Sequence, residues 1–241
     1  MKKKLTFFDI IKTDVMETNK NEKTKSKRDL ESLEKEWMES RDYALFCKDG
    51  ILLEEEWDKS RTKILFLLKE TFIHFFVIRG RAQGPHGNSK TFWRRMQMWT
   101  YLTDKIYNNE DYTFQDALKI KDKENSKIAY VNIKKNVTLM GQKGRTSSDY
   151  NDIAKYARQD SHFLRRQIEL INPDVIICCG TYDFMKNIFT KEEFKNNKVN
   201  SIWVIKAKHL SFVQSYQRGF FELEERLLKI RNIDSNTLPK F

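Results

Sequence analysis

Lys63-Ile64-Leu65-Phe66-Leu67-Leu68-Lys69-Glu70-Thr71 decides the fold, because five consecutive apolar residues in it are closed by a lysine and a glutamate. An apolar run without alternation is the pattern of a strand buried on both faces, as in the middle of a parallel sheet. Ligands of such sheets lie beyond the carboxyl ends of the strands, so Lys69 and Glu70 stand where chemistry is placed. Further apolar runs follow: Ile128-Ala129-Tyr130-Val131, then Pro173 to Cys179, then Ile202-Trp203-Val204-Ile205. Helical patterns separate them. The resulting β-α-β-α-β-α-β order predicts an α/β fold, a three-layer α/β/α sandwich with a central, mostly parallel four-stranded sheet.

The intervening segments carry the helical period. Phe92, Met96, Trp99 and Leu102 form an apolar stripe with Arg94 and Arg95 off it, and Ser89 or Thr91 is placed to cap that helix. An amphipathic helix around 114–120 completes the first crossover. A helix over 153–170 turns Phe163, Leu164 and Ile168 inward, Gly180 leads into another, and one over about 220–230 closes the fold. Ahead of the sheet, residues 1–28 end in a polar tract with nothing to bury and are expected to form an arm or linker. Residues 29–60 are expected to be a helical extension, with Leu30, Leu33 and Trp37 on one face and a tight turn at Asp49-Gly50. Residues 61–232 then form the α/β domain, and 233–241 a loose tail.

The 45 Lys+Arg against 34 Asp+Glu leave a formal charge of +11, which favours an acidic partner such as nucleic acid or an anionic surface. No apolar run approaches the roughly 18 to 20 residues of a membrane span. Asp9 interrupts the apolar stretch after Met1-Lys2-Lys3-Lys4, so no secretory signal is expected and a cytoplasmic location is the default. Cys47, Cys178 and Cys179 lack the four-ligand spacing of a zinc or iron–sulfur site, and the latter two lie inside an apolar run as small core residues. Neither a metal nor a cofactor is expected.

With the strands so drawn, their ends deliver Glu70, Asn132 and His209 to one rim. A carboxylate there can stabilise positive charge on a sugar as a glycosidic bond stretches, or orient a water. A histidine can donate to an oxygen of the departing base, and an asparagine offers both a donor and an acceptor to a base edge. Each also has a plainer use: Glu70 in an ion pair, Asn132 at a strand end, His209 as a core or capping residue. The loop from about Phe72 to Lys90 is where a site would be elaborated. The stretch from Lys134 to Arg145, basic and glycine-containing, is expected to be a loop, suited either to phosphates or simply to solvent.

His209-Leu210-Ser211-Phe212-Val213-Gln214-Ser215-Tyr216-Gln217-Arg218-Gly219-Phe220-Phe221 resembles the C-terminal signature of uracil-DNA glycosylases, a His-Pro-Ser followed by an apolar wedge and Tyr-Arg-Gly-Phe-Phe. Leu68-Lys69-Glu70-Thr71 is similar in position to their first motif, and Tyr130-Val131-Asn132 to the strand whose asparagine reads the base. Gly87-Asn88-Ser89-Lys90-Thr91-Phe92-Trp93 is similar to a Gly-Asn and Phe-Trp element of the mismatch-specific branch. The resemblance covers about residues 60 to 232. It implies Glu70 as the water-activating or cation-stabilising carboxylate and His209 as donor to the base oxygen, with Asn132, Phe72 and His86 around the base. It implies further that Ser211 binds a phosphate, that Phe212 or Val213 wedges into the duplex as a nucleotide is swung out, and that Lys69, Arg81 and Arg218 lie along single- or double-stranded DNA. A monomer is expected.

The chain departs from that pattern in three places. The first motif lacks the usual glycine and proline and carries Glu70 where the best-known members have aspartate. Leu210 replaces the proline of His-Pro-Ser, which loosens the loop, and Gln217 is an extra residue before Arg218. These departures leave open which base is removed. They also leave open a silent DNA-binding relative or an enzyme acting on a free nucleotide.

Overall fold

The computed structural model describes residues 29–72, 89–120, 127–138, 148–212 and 215–237. The chain divides into two compact units, Met1–Asp42 and Tyr43–Phe241. The described part of the first is helix α1, residues 29–39, on which Leu30, Leu33 and Trp37 recur at helical spacing and are buried. All that follows concerns the second unit.

Its sheet has seven strands in the order β1-β3-β2-β4-β7-β6-β5, not four. Strand β2 (Ile64–Phe72) grows from the deciding run and lies between two parallel neighbours, β3 (Ile128–Thr138) and β4 (Val175–Cys179). That position explains the unbroken apolar pattern, since Ile64, Leu65, Phe66 and Leu67 are all fully buried. Beyond β4, strand β7 (Ile202–Ala207) is also parallel. The additional strands are short and antiparallel: β1 (Gly50–Ile51) borders β3, and the hairpin β5 (Phe194–Lys195) and β6 (Lys198–Val199) borders β7. Asn196 and Asn197 turn that hairpin with φ of 54° and 61°, the left-handed pair that a two-residue primed turn requires and that asparagine tolerates best among residues with a side chain.

One face of the sheet packs Ile64, Phe66, Leu68, Ile177 and Ile205 against α3 (Ser89–Tyr107), α4 (Phe114–Lys119) and α8 (Tyr216–Thr237), through Met96, Trp99, Leu102, Phe220, Leu223 and Leu227. Alternate residues Leu65, Leu67, Val131, Ile176 and Val204 are buried as well and point the other way. There α5 (Tyr150–Gln159) lies against β3, and packs with α6 (Ser161–Ile171) and α7 (Met185–Ile188). A short helix, α2 (Glu54–Lys59), precedes β2 and buries Trp57. No helix among the described residues is long and apolar enough to cross a membrane.

Two elements differ from the sequence reading in ways that bear on the site. The helix expected over 153–170 is broken at Asp160, which ends α5 and begins α6 with φ of −107° and ψ of 15°. Asp160 is fully buried and its carboxylate accepts the Tyr43 hydroxyl proton, a contact that only the folded chain supplies. Strand β3 runs on to Thr138, so Lys134, Lys135 and Asn136 are strand and not the basic loop expected there. Residues 139–147 lie outside the described residues.

Candidate functional site

The register of the sheet sets the heights of the rim residues. Leu68 lies opposite Asn132, and Glu70 opposite Lys134. On the other side Leu67 is level with Cys178, and Cys178 with Lys206. The pairing of β4 with β7 ends at Cys179 and Ala207, and His209 lies two residues beyond it.

Glu70 is inside β2, not just past it, and its side chain is only 3% exposed. Its Oε2 lies 3.1 Å from Lys134 Nζ, and the same ammonium lies 2.7 Å from Asp152 Oδ2 on α5. Burial works against the Lys134 charge, but Asp152 and Glu70 together outweigh it and raise its proton affinity above the usual lysine value. Asp152 is delivered by a capped helix start, where the Asp149 side chain accepts the Asn151 and Asp152 N–H groups. The Tyr156 ring lies 5.3 Å from Lys134 Nζ.

His209 follows β7 and sits beside Gly180 at the end of β4. Gly180 has φ of 73°, and a β-carbon there would meet Lys69 Cε at 3.4 Å and His209 Cβ at 3.5 Å, so Lys69 and His209 flank one point. Burial first, and the Lys69 charge second, push the His209 imidazole down to about 4. Its Nδ1 accepts the Ser211 N–H at 3.3 Å, which leaves the proton of the neutral ring on Nε2. Lys69 makes no ion pair among the described residues. The Phe92 ring, near the start of α3, is 6.3 Å from the His209 ring.

The turn Leu210–Phe212 that follows is fastened without proline. Leu210 is fully buried in the core, and Arg95 of α3 donates to its carbonyl while stacking 5.6 Å over Tyr216. Ser211 is exposed. Arg218 is exposed in the first turn of α8 and shares Glu222 with Lys208, both at 2.9 Å. Those two cations hold the Glu222 carboxyl below the usual range.

Asn132 is not at a strand tip. It is buried within β3, where its backbone N–H donates to Asp49 Oδ2 at 2.7 Å and its Nδ2 to the same oxygen at 3.1 Å and to Cys47 Sγ at 3.7 Å. Asp49 also pairs with Lys135 at 2.5 Å, both side chains almost wholly buried, and accepts from Gln167 Nε2 at 2.9 Å. The Asn132 amide donor is therefore spent on Asp49 and Cys47. The residues that sequence reasoning missed are Asp49, Lys134 and Asp152. Asp49 carried only a turn signal with Gly50, Lys134 only its place in a basic stretch expected to be a loop, and Asp152 none.

His86, Arg81 and Val213 lie outside the described residues, as do the side chains of Phe72 and Phe212. Among the described residues no His, Cys, Asp and Glu cluster has the makings of a metal site, and all three cysteines are buried and free. Compared with protein-family models the chain matches none, and it matches no curated protein in sequence.

Proposed function

We propose that this protein hydrolyses the N-glycosidic bond of an extruded uracil or modified base in DNA, as a divergent member of the uracil-DNA glycosylase superfamily with its three-layer α/β/α architecture. The observation that carries the reading is an imidazole, His209, held neutral beside Lys69 with its proton on Nε2, where the next residue of β2 after Lys69 is the buried carboxylate Glu70. A neutral Nε2–H is the donor that a base oxygen needs as it gathers negative charge. Burial and Lys69 keep it in that form across the neutral range.

Glu70 is held against Lys134. Its role is to set a fixed negative charge beneath a cationic sugar and to align a water. Lys69 is the nearest positive charge for the departing base or a flanking phosphate. DNA is the expected partner of a +11 chain, and the protein is read as a cytoplasmic monomer. The deep ion pair of Glu70 favours a second reading, a relative that binds DNA without turnover, because a carboxylate 3% exposed must be reached by substrate to act.

Abasic-site formation on oligonucleotides carrying uracil, hypoxanthine, mismatched thymine or modified pyrimidines separates these. Glu70→Gln should abolish turnover with DNA affinity nearly intact, and equal loss of both refutes the assignment. His209→Ala should slow the chemical step by on the order of 100- to 1000-fold, measured in single turnover. Tight, salt-sensitive binding with no excision supports the silent relative, and activity on a nucleoside alone supports a free-nucleotide enzyme.

A further inference from the structure

The Lys134 ammonium is shared between carboxylates from two different elements, Glu70 on β2 at 3.1 Å and Asp152 on α5 at 2.7 Å. Side-chain exposure rises outward through the three, at 3% for Glu70, 10% for Lys134 and 31% for Asp152. Glu70 is thus the inner group and Asp152 the outer one. Among the described residues, ionisable groups beside this set include Lys69, next to Glu70 on β2, and on α5 Tyr156, whose ring lies 5.3 Å from Lys134 Nζ, and Asp149, which caps the helix under Asp152. A lone lysine against Glu70 would hold it in place but also cancel its charge. Two carboxylates on one ammonium leave a net charge of one negative.

We propose that Asp152 is a positioning residue that draws Lys134 partly away from Glu70, so that Glu70 is anchored by an ammonium yet keeps negative charge to set against a cationic sugar. The sugar in that statement rests on the glycosylase reading above; the sharing of Lys134 does not. The geometry suits the division of labour. Opposition in the β2–β3 register fixes Lys134 beside Glu70, whereas Asp152 comes from a helix start that its own cap holds in place.

The test follows the Glu70 carboxyl resonance through pH by carbon-13 NMR, with Glu70→Gln to identify it, in the unmodified protein, Asp152→Asn and Lys134→Gln. Asp152→Asn should return the whole ammonium to Glu70 and lower its midpoint by about one unit, whereas Lys134→Gln should raise it by at least about as much. Asp152 is isosteric with asparagine and the most exposed of the three, so this variant keeps the fold, and Asp152→Glu should restore the original midpoint. In excision assays Asp152→Asn should cost roughly tenfold in kcat without raising KM for DNA. An unchanged Glu70 midpoint in Asp152→Asn overturns the proposal. A shifted midpoint with an unchanged kcat overturns its catalytic half. A shifted midpoint in a protein that excises no base keeps the shared ammonium and overturns the glycosylase reading instead.

Discussion

His209 shows how one side chain couples site and stability. Its imidazole would take a proton near 6.5 in the unfolded chain but only near about 4 when folded, through burial and the neighbouring Lys69 charge. Between those values the unfolded state binds more protons, so stability is full above about 6.5 and falls as pH drops towards 4. The ring is partly exposed, so the loss is on the order of 2 kcal/mol. Urea midpoints measured from pH 7 to pH 4 should fall for the unmodified protein and fall less for His209→Gln. The same depression predicts an excision rate with no acid limb from His209 above about pH 5. The role of His209 at the rim was open to reading from its place after an apolar run. Its protonation state was not, because its burial and the nearby Lys69 charge come only when β2, β4 and β7 are assembled.

At the scale of elements, β3 runs further than its apolar residues predict. Its second half, Asn132 to Asn136, is polar in sequence, yet Asn132, Lys134 and Lys135 are buried. Such a strand survives because Asn132, Lys134 and Lys135 meet partners from elsewhere: Asp49 from the segment before β1, Glu70 from β2 and Asp152 from α5. Breaking a buried ion pair is costly, so Asp49→Ala, which removes the carboxylate that Lys135, Asn132 and Gln167 share, should cost about 3 to 5 kcal/mol. The double replacement Asp49→Leu with Lys135→Met should cost less than Asp49→Ala alone, and chemical denaturation of both variants checks it. The hairpin of β5 and β6 had a usable signal, Asn196-Asn197 between short segments, but the residues after Gly180 were read as helix and strand alone. Asp160 likewise breaks a helix that periodicity alone continues, since Tyr43 pulls its carboxylate into the interior.

For the whole molecule, charge is the quantity that reaches furthest. A +11 chain that clamps DNA through about five phosphates should lose affinity with a slope of roughly −4.5 in log K against log salt on duplex. Titrations at several salt concentrations check this, and a slope near zero removes DNA as the partner. Several cations near the rim are already paired, Arg218 and Lys208 with Glu222 and Lys134 with two carboxylates, so the slope counts fewer contacts than composition alone suggests. The resemblance that points to the glycosylases rests on the rim motifs, and the seven-stranded sheet around them is larger than the four strands the apolar runs predict.

By itself the sequence determined the four parallel strands and the helices α3 and α8, because burial on two faces or on one stripe imposes a pattern that neighbours in the chain already display. It also put Glu70 late in one apolar run and His209 just after another, which is where β2 and β7 carry them. Only the tertiary structure decided where β3 stops, why Asn132 is drawn to the sheet edge, and that Lys134 stands between Glu70 and Asp152. Those outcomes depend on charges brought together across long stretches of chain. A polar residue bound for such a partner has the same local surroundings in sequence as one bound for water.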